Sequence, residues 1–238
     1  MRIEGVSVCV NYADILAHTL PHNRQAFDRM VVVTTPEDEA TQRVCEYYHV
    51  ECVQTDVFFR DGDTFNKGAA IDHGLGLLSK LGWVVHLDAD IYLPPKTRFI
   101  LENLPLDDRK IYGIDRLMVT SHGEWMSFLS APRPIQESWV FIHLDSFPVG
   151  CRIAEYANKD AGYTPIGYFQ LWSPGGSGVW GYPTEHGTCD RTDVLHAKKW
   201  SRCDRELLPE LVCLHLDSEA AKMGTNWEGR KTRRFSQP

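Results

Sequence analysis

The stretch Trp83-Val84-Val85-His86-Leu87-Asp88-Ala89-Asp90 runs from five strand-forming residues straight into two carboxylates. Side chains two apart on an extended backbone point to the same side, so Asp88 and Asp90 leave the end of the strand together. Open α/β sheets bind their ligands just outside the carboxyl ends of their strands. Two like charges at close range are unfavourable unless a cation or a shared proton neutralises them. Mg2+ and Mn2+ take oxygen ligands and commonly bridge carboxylates to substrate phosphates, which makes the pair a candidate metal site. A solvated acidic turn is the plainer alternative; the apolarity of the preceding strand favours the metal.

Working upstream, strand-like and helix-like segments alternate. Residues 6–11 form a β-branched run, and 15–27 read as a helix. Residues 30–35 carry three successive valines, as a strand buried on both faces does. Pro36, Glu37 and Asp38 open a helix to about Tyr48, with acids at the positive end of its dipole. Residues 50–56 make a third strand, and Asn66-Lys67-Gly68-Ala69-Ala70 begins another helix whose Ala70, Leu75 and Leu78 face the core. This alternation predicts an α/β fold, a Rossmann-like, mostly parallel sheet flanked by helices in a single domain. Downstream, 110–120, 138–144, 167–172 and 211–216 read as strands. The stretch 121–165 is rich in aromatics and prolines with weak periodicity, and the tail after Gly229 reads as coil.

A length of 238 residues suits one such domain. The net charge of −7 argues against wholesale coating of nucleic acid or an anionic membrane. A local basic cluster nevertheless closes the chain, at Arg230, Lys231, Arg233 and Arg234. The seven cysteines form no CxxC pair and several lie in apolar runs, which points to a reduced, intracellular setting. Glu4 interrupts the place where a signal peptide needs its apolar stretch, and no segment approaches the roughly 20 apolar residues of a membrane span. The expectation is a soluble, cytoplasmic protein.

Other residues carry candidate chemistry. His215, in the apolar run Leu211-Val212-Cys213-Leu214-His215-Leu216, is either a core histidine or a third metal ligand through neutral imidazole. Asn66 and Lys67 open a helix, where free N–H groups and a point charge suit an anion, or are simply a polar helix start. Arg230 and Lys231 can stabilise a departing diphosphate, or belong to a solvated tail. Glu185, Asp190 and Asp193 are candidate general bases, although a cap or first-turn acid explains Asp190 and Asp193 equally well. Aromatic residues such as Trp125, Trp139, Phe141, Trp172 and Trp180 can stack on sugars or bases, while most must be core. Gly175-Gly176-Ser177-Gly178 reads as a flexible loop and not as a dinucleotide fingerprint.

Together these residues resemble the GT-A glycosyltransferases, particularly the family 2-like enzymes. The likeness rests on the opening strand, on Asn66-Lys67-Gly68-Ala69-Ala70, on Asp88-Ala89-Asp90, which looks like the family's DxD motif, on His215, and on Asn226-Trp227-Glu228-Gly229-Arg230. The opening has Asn11-Tyr12-Ala13-Asp14 where many members carry Pro and Tyr-Asn-Glu. The resemblance implies a nucleotide pocket built by Val10, Asn11 and Tyr12 after the first strand and Thr34 and Thr35 after the second. Asn66, Lys67, Asp88, Ala89, Arg230 and Lys231 would complete the donor contacts. It implies Mn2+ or Mg2+ on Asp88, Asp90 and His215, with residues 1–120 holding the nucleotide-sugar and 121–238 the acceptor. The implied reaction is transfer of a sugar, from a UDP-sugar, to an acceptor hydroxyl with inversion, Asp193 or a neighbour taking the proton. The acceptor is a glycan or small molecule, or a hydroxymethylated DNA base met through the basic cluster. A nucleotidyltransferase also uses paired carboxylates and a metal, but wants a Gly-rich basic loop where Asn11-Tyr12-Ala13-Asp14 stands. A non-catalytic carbohydrate-binding module accounts for the tryptophans but not for the strand-end acids.

Overall fold

A computed structural model describes residues 1–133, 136, 163–216, 226, 228–231 and 234–235. One eight-stranded sheet of order β3-β2-β1-β4-β7-β6-β8-β5 organises them. β1 (Ile3–Val8), β2 (Arg29–Thr34), β3 (Glu51–Gln54) and β4 (Trp83–Leu87) are parallel neighbours. β7 (Phe169–Trp172) lies antiparallel between β4 and β6 (Ile111–Val119), and β8 (Arg205–Leu216) runs parallel to β6 with β5 (Ile91–Tyr92) antiparallel at its edge. The sheet therefore draws strands from both halves of the chain, as the mostly parallel α/β reading required.

Helices cover both faces. Leu16 and Leu20 of α1 (Ala13–Asn23) pack with Val32, Val85 and Leu87 on one side, while Ile71 and Leu75 of α3 (Lys67–Leu77) pack with Val31, Val33 and Val84 on the other. This is why three valines in a row suit β2: consecutive side chains enter opposite cores, and burying each contributes roughly 2 kcal/mol. α2 (Glu39–Tyr47) begins later than the acidic run suggests. The Asp38 carboxylate accepts the Thr41 N–H at 3.1 Å, making Asp38 the N-cap and leaving Pro36 outside.

Beyond β4 the structure adds elements that pattern reading missed. β5 and α4 (Thr97–Asn103) were not distinguished, and α5 (His122–Ser130) lies in the weakly periodic stretch. Its start is nonetheless written in Ser121-His122-Gly123-Glu124: the Ser121 hydroxyl accepts the Glu124 N–H at 3.2 Å, and Glu124 accepts the Thr120 N–H at 2.7 Å. β8 begins six residues before the expected 211, because a register break opposite Ile114 and Asp115 absorbs Pro209, which has no N–H for the ladder. The glycine-rich 175–178 segment is not a free loop. Residues Pro174–Ser177 form a single helical turn, α6, capped by the Ser173 side chain and ended by left-handed Gly178. The helix expected over 194–200 spans Thr192–Ala197 (α7). The strand expected over 138–144, with Trp139 and Phe141, lies outside the described residues. Trp125 and Trp172 are core, whereas Trp180 is 52% exposed. No described helix is long and apolar enough to cross a membrane, and the described cysteines are free thiols.

Candidate active site

The chain stops being β4 at Asp88, whose N–H donates to the Tyr168 carbonyl at 3.2 Å, and turns so that Ile91 N–H reaches the Asp88 carbonyl at 3.3 Å. β5 follows at once and pairs Ile91 with His215. That pairing brings a histidine 125 positions away in sequence onto the acidic turn: His215 Nε2 lies 3.2 Å from Asp90 Oδ2. Arg116 of β6, in register with Cys213, contacts the other ring nitrogen at 2.9 Å, and its guanidinium lies 4.5 Å from the centre of the Tyr168 ring. An arginine can only donate, so His215 Nδ1 accepts and the proton of a neutral ring sits on Nε2, facing Asp90.

Asp88 has a different partner. Lys67, in the first turn of α3, places its ammonium 2.5 Å from Asp88 Oδ1. Burial raises the Asp88 pKa and the neighbouring Asp90 charge adds to the rise, against the pull of Lys67. For Asp90, burial acts in the same direction, but His215, with Lys67 and Arg116, holds its carboxyl below the ordinary value. The two acids thus ionise unequally, as close like charges must. Burial opposes the charge on Lys67, yet Asp88, Cys189 and Asp193 raise its pKa and keep it protonated. Lys67 and Arg116 thus bring positive charge from within the chain to acids that sequence alone would leave to a dication. Beneath the pair, His86 is fully buried with neither ring nitrogen hydrogen-bonded, and burial, then Lys67 and His196, hold it neutral.

Lys67 reaches this point because α3 starts where it does. The Asn66 side chain caps the helix by accepting from the Ala69 N–H at 2.9 Å, and its amide donates to Asp63 and to the Thr184 carbonyl. Asn66 is 5% exposed and engaged within the fold. Gly68 is required by close approach: a Cβ there would stand 2.1 Å from the Pro183 carbonyl oxygen and 2.5 Å from Thr192 Cγ2.

At the ends of β1 and β2, Asn11, flanked in sequence by Val10 and Tyr12, and Thr34, followed by Thr35, meet at Asp38, a residue read only as a helix-opening acid. Asp38 accepts from the Asn11 N–H (2.7 Å), the Thr34 hydroxyl (3.2 Å) and the Thr41 hydroxyl (2.6 Å). Val10, Thr34 and Thr35 are buried, while Asn11 is exposed with φ of 61°, a left-handed conformation that asparagine tolerates. Beside them opens a pocket of ≈ 740 Å³ whose lining includes Asn11, Asp14, Asp38, Arg43, Arg230 and Arg234, but neither Asp88 nor Lys67. Arg230 crosses from the far end of the chain to cover Tyr12, 4.5 Å from the ring centre, and donates to the Asn11 carbonyl at 2.9 Å. It is ion-paired with Asp14, which also takes the Phe235 N–H at 2.6 Å; burial opposes the ionised Asp14, and these donors lower its pKa. Lys231 is exposed and paired with Glu228 at 2.7 Å.

The three candidate bases separate. Glu185 is exposed and accepts from the Thr184 N–H. Asp190 is engaged by the Thr188 hydroxyl and lies 3.7 Å from Arg191. Asp193, at the head of α7, accepts the Gly167 and Val194 N–H groups, each at 2.7 Å, and is the one whose charge Lys67 feels. Arg116, Gln170 and Tyr182 escaped the sequence reading. The available signal was a polar residue inside an apolar strand, Arg116 in β6 and Gln170 in β7.

Among the described residues no three His, Cys, Asp or Glu side chains converge closely enough to hold a metal ion. Asp90 Oδ1 is nevertheless a buried acceptor with no hydrogen-bond partner. It gives the acidic turn one open coordination position.

The architecture, a mostly parallel, helix-flanked sheet in one domain, is a GT-A-type fold. Among solved structures it is similar to glucosyl-3-phosphoglycerate synthase from Mycobacterium tuberculosis, crystallised with Mn2+, UDP-glucose and phosphoglyceric acid, with a TM-score of 0.52 over 94% of this chain and 75% of that one at 12% identity. Mannosyl-3-phosphoglycerate synthase from Rubrobacter xylanophilus aligns over 94% of this chain and 68% of its own, with a TM-score of 0.49 and 14% identity. No protein-family model matches the chain, and no curated protein matches it in sequence. At these identities the likeness is one of fold.

Proposed function

We propose that this protein is a metal-dependent glycosyltransferase that moves a sugar from a UDP-sugar to an acceptor hydroxyl, with inversion at the anomeric carbon. The observation that carries the reading is the convergence, at the carboxyl end of β4, of Asp88, Asp90, Lys67 and His215 from three separate stretches of chain. The ligands of the solved neighbour, Mn2+ and UDP-glucose, support the same chemistry.

Asp88, Asp90 and His215 would hold Mn2+ or Mg2+, and the unpartnered Asp90 Oδ1 is where the fit is best. His215 would join through Nε2 only on losing the proton that Arg116 at Nδ1 now favours there. The bound ion would supply positive charge to a departing diphosphate. Val10, Asn11, Tyr12, Thr34 and Thr35 border the nucleotide side, Lys67 faces the phosphates, and Arg230 and Lys231 close over the leaving group. Residues 1–120 thus hold the donor, and the later part meets the acceptor. Asp193 accepts the proton of the acceptor hydroxyl as its oxygen bonds to the anomeric carbon; the bond from that carbon to the phosphate oxygen breaks, and its electron pair leaves with UDP.

A thermal-shift panel of nucleotide sugars with and without Mn2+ tests this, because a ligand of the native state raises its melting temperature. The expected result is a Mn2+-dependent rise with UDP-sugars and slow, Mn2+-dependent UDP release to water. No shift with any nucleotide sugar, with or without metal, would end the proposal.

A further inference from the structure

Gln170 is a fully buried amide in an otherwise apolar strand, Phe169-Gln170-Leu171-Trp172, in register with His86 next to the acidic turn. Burying an amide is unfavourable unless its hydrogen-bonding groups are satisfied. Three of its bonds are in place. Its Nε2 donates to the Pro165 carbonyl at 2.8 Å and the Asp193 carbonyl at 3.0 Å, and its Oε1 accepts the Tyr182 hydroxyl at 2.7 Å. Two carbonyls on one end and a hydroxyl on the other fix the amide's orientation, since a flip would set oxygen against both carbonyls. Tyr182 is itself held, its N–H donating to Asp72 at 2.7 Å and its ring stacked on buried His196 at 4.2 Å.

The two carbonyls belong to the two segments whose meeting sets the Asp193 carboxylate. Pro165 lies two residues before Gly167, whose N–H donates to Asp193 Oδ2, and a Cβ at Gly167 would stand 3.1 Å from Asp193 Cβ. We infer that Gln170, oriented by Tyr182, is the positioning residue for Asp193, clamping the backbone of residues 165–167 to the head of α7. Neither residue touches the reacting atoms. The inference deepens the proposed function and rests on Asp193 as the base.

The test uses the full chain carrying Gln170→Met and, separately, Tyr182→Phe, which removes a single oxygen. Amide hydrogen exchange at Gly167 reads the clamp without any substrate: both variants are expected to exchange there at least tenfold faster, with the Val31, Val32 and Val33 amides unchanged. Should Gln170→Met fail to fold, Tyr182→Phe decides alone. With Mn2+ and UDP-glucose as the probe, kcat for UDP release is expected to fall about tenfold at unchanged KM. Tyr182→Phe is expected to cause no further fall in an Asp193→Asn background, because a residue acting through Asp193 has nothing left to position. Unchanged Gly167 exchange, or equal losses in both backgrounds, overturns the inference. If Asp193→Asn leaves turnover intact, the base assignment fails, and the exchange result still decides the clamp.

Discussion

The Lys67 ammonium lies 2.5 Å from the Asp88 carboxylate and joins the first turn of α3 to the end of β4 across 21 residues of sequence. This contact binds a helix start of the kind that receives anions to the acidic turn that would receive a cation. Lys67 balances Asp88 in the free protein, and under the proposed function the same ammonium would meet phosphate when a donor arrives.

Lys67→Met is therefore expected to leave Asp88 facing Asp90 without its counter-charge. Losing a hydrogen bond between charged groups in a partly buried site costs about 1.5–3 kcal/mol. Urea titration should show a loss within that range, and the UDP-sugar shift in melting temperature should disappear. A variant as stable as the parent that still binds the nucleotide would show that Lys67 matters to neither.

Gly68→Ala puts a methyl group 2.1 Å from the Pro183 backbone oxygen. Backbone cannot swing aside as a long side chain can, so α3 must shift, at a cost of about 1–3 kcal/mol. A lower denaturant midpoint together with a fall in UDP release would place the effect on Lys67. Wild-type stability would mean that the 183–184 loop gives way easily.

The Asp14–Arg230 pair has a defined pH signature. The Asp14 pKa is lowered in the folded chain, so the unfolded state binds the proton more readily. The pair's contribution is then fully present above the unfolded value of about 3.9 and is lost as pH falls through the lower folded value. Asp14→Asn should reduce stability at pH 7, and the gap from the parent should narrow steadily below about pH 4. A gap independent of pH between 2 and 7 would assign the effect to packing.

Asp90→Asn and His215→Gln separate the metal roles. Asp90→Asn keeps the shape of the turn but removes its charge, and is expected to abolish the effect of Mn2+ on melting temperature and turnover by a hundredfold or more. His215→Gln should raise the Mn2+ concentration needed for half-maximal UDP release by about tenfold, in line with the loss of one ligand. Should the Mn2+ titration of His215→Gln match the parent, the histidine serves Asp90 alone.

Local rules were enough for the chain as far as β4. β1, β2, β4 and α3 stand close to where the valine runs and the Asn66 cap place them, because a strand buried on both faces and a side-chain N-cap are properties of a few consecutive residues. The second half resisted the same treatment. Pro209 hides the first part of β8, and the acidic and glycine-containing start of α5 sits among aromatics whose periodicity is blurred by burial on several sides. Asp38 shows a subtler limit: it caps α2 as acids before helices do, but its bonds to Asn11 and Thr34 depend on β1 and β2 being neighbours.

By itself, then, the order of residues determined that the chain would build a mostly parallel, helix-covered sheet and would end its fourth strand in two acids, since side-chain alternation and burial act over short spans of backbone. The fold alone decided which distant groups meet those acids. Lys67, Arg116 and His215 reach the turn through α3 packing and the β6-β8-β5 pairings, and Gln170 reaches Asp193 through β7. Electrostatic and hydrogen-bond energies depend on separation in space, and strand pairing between remote segments is what sets that separation.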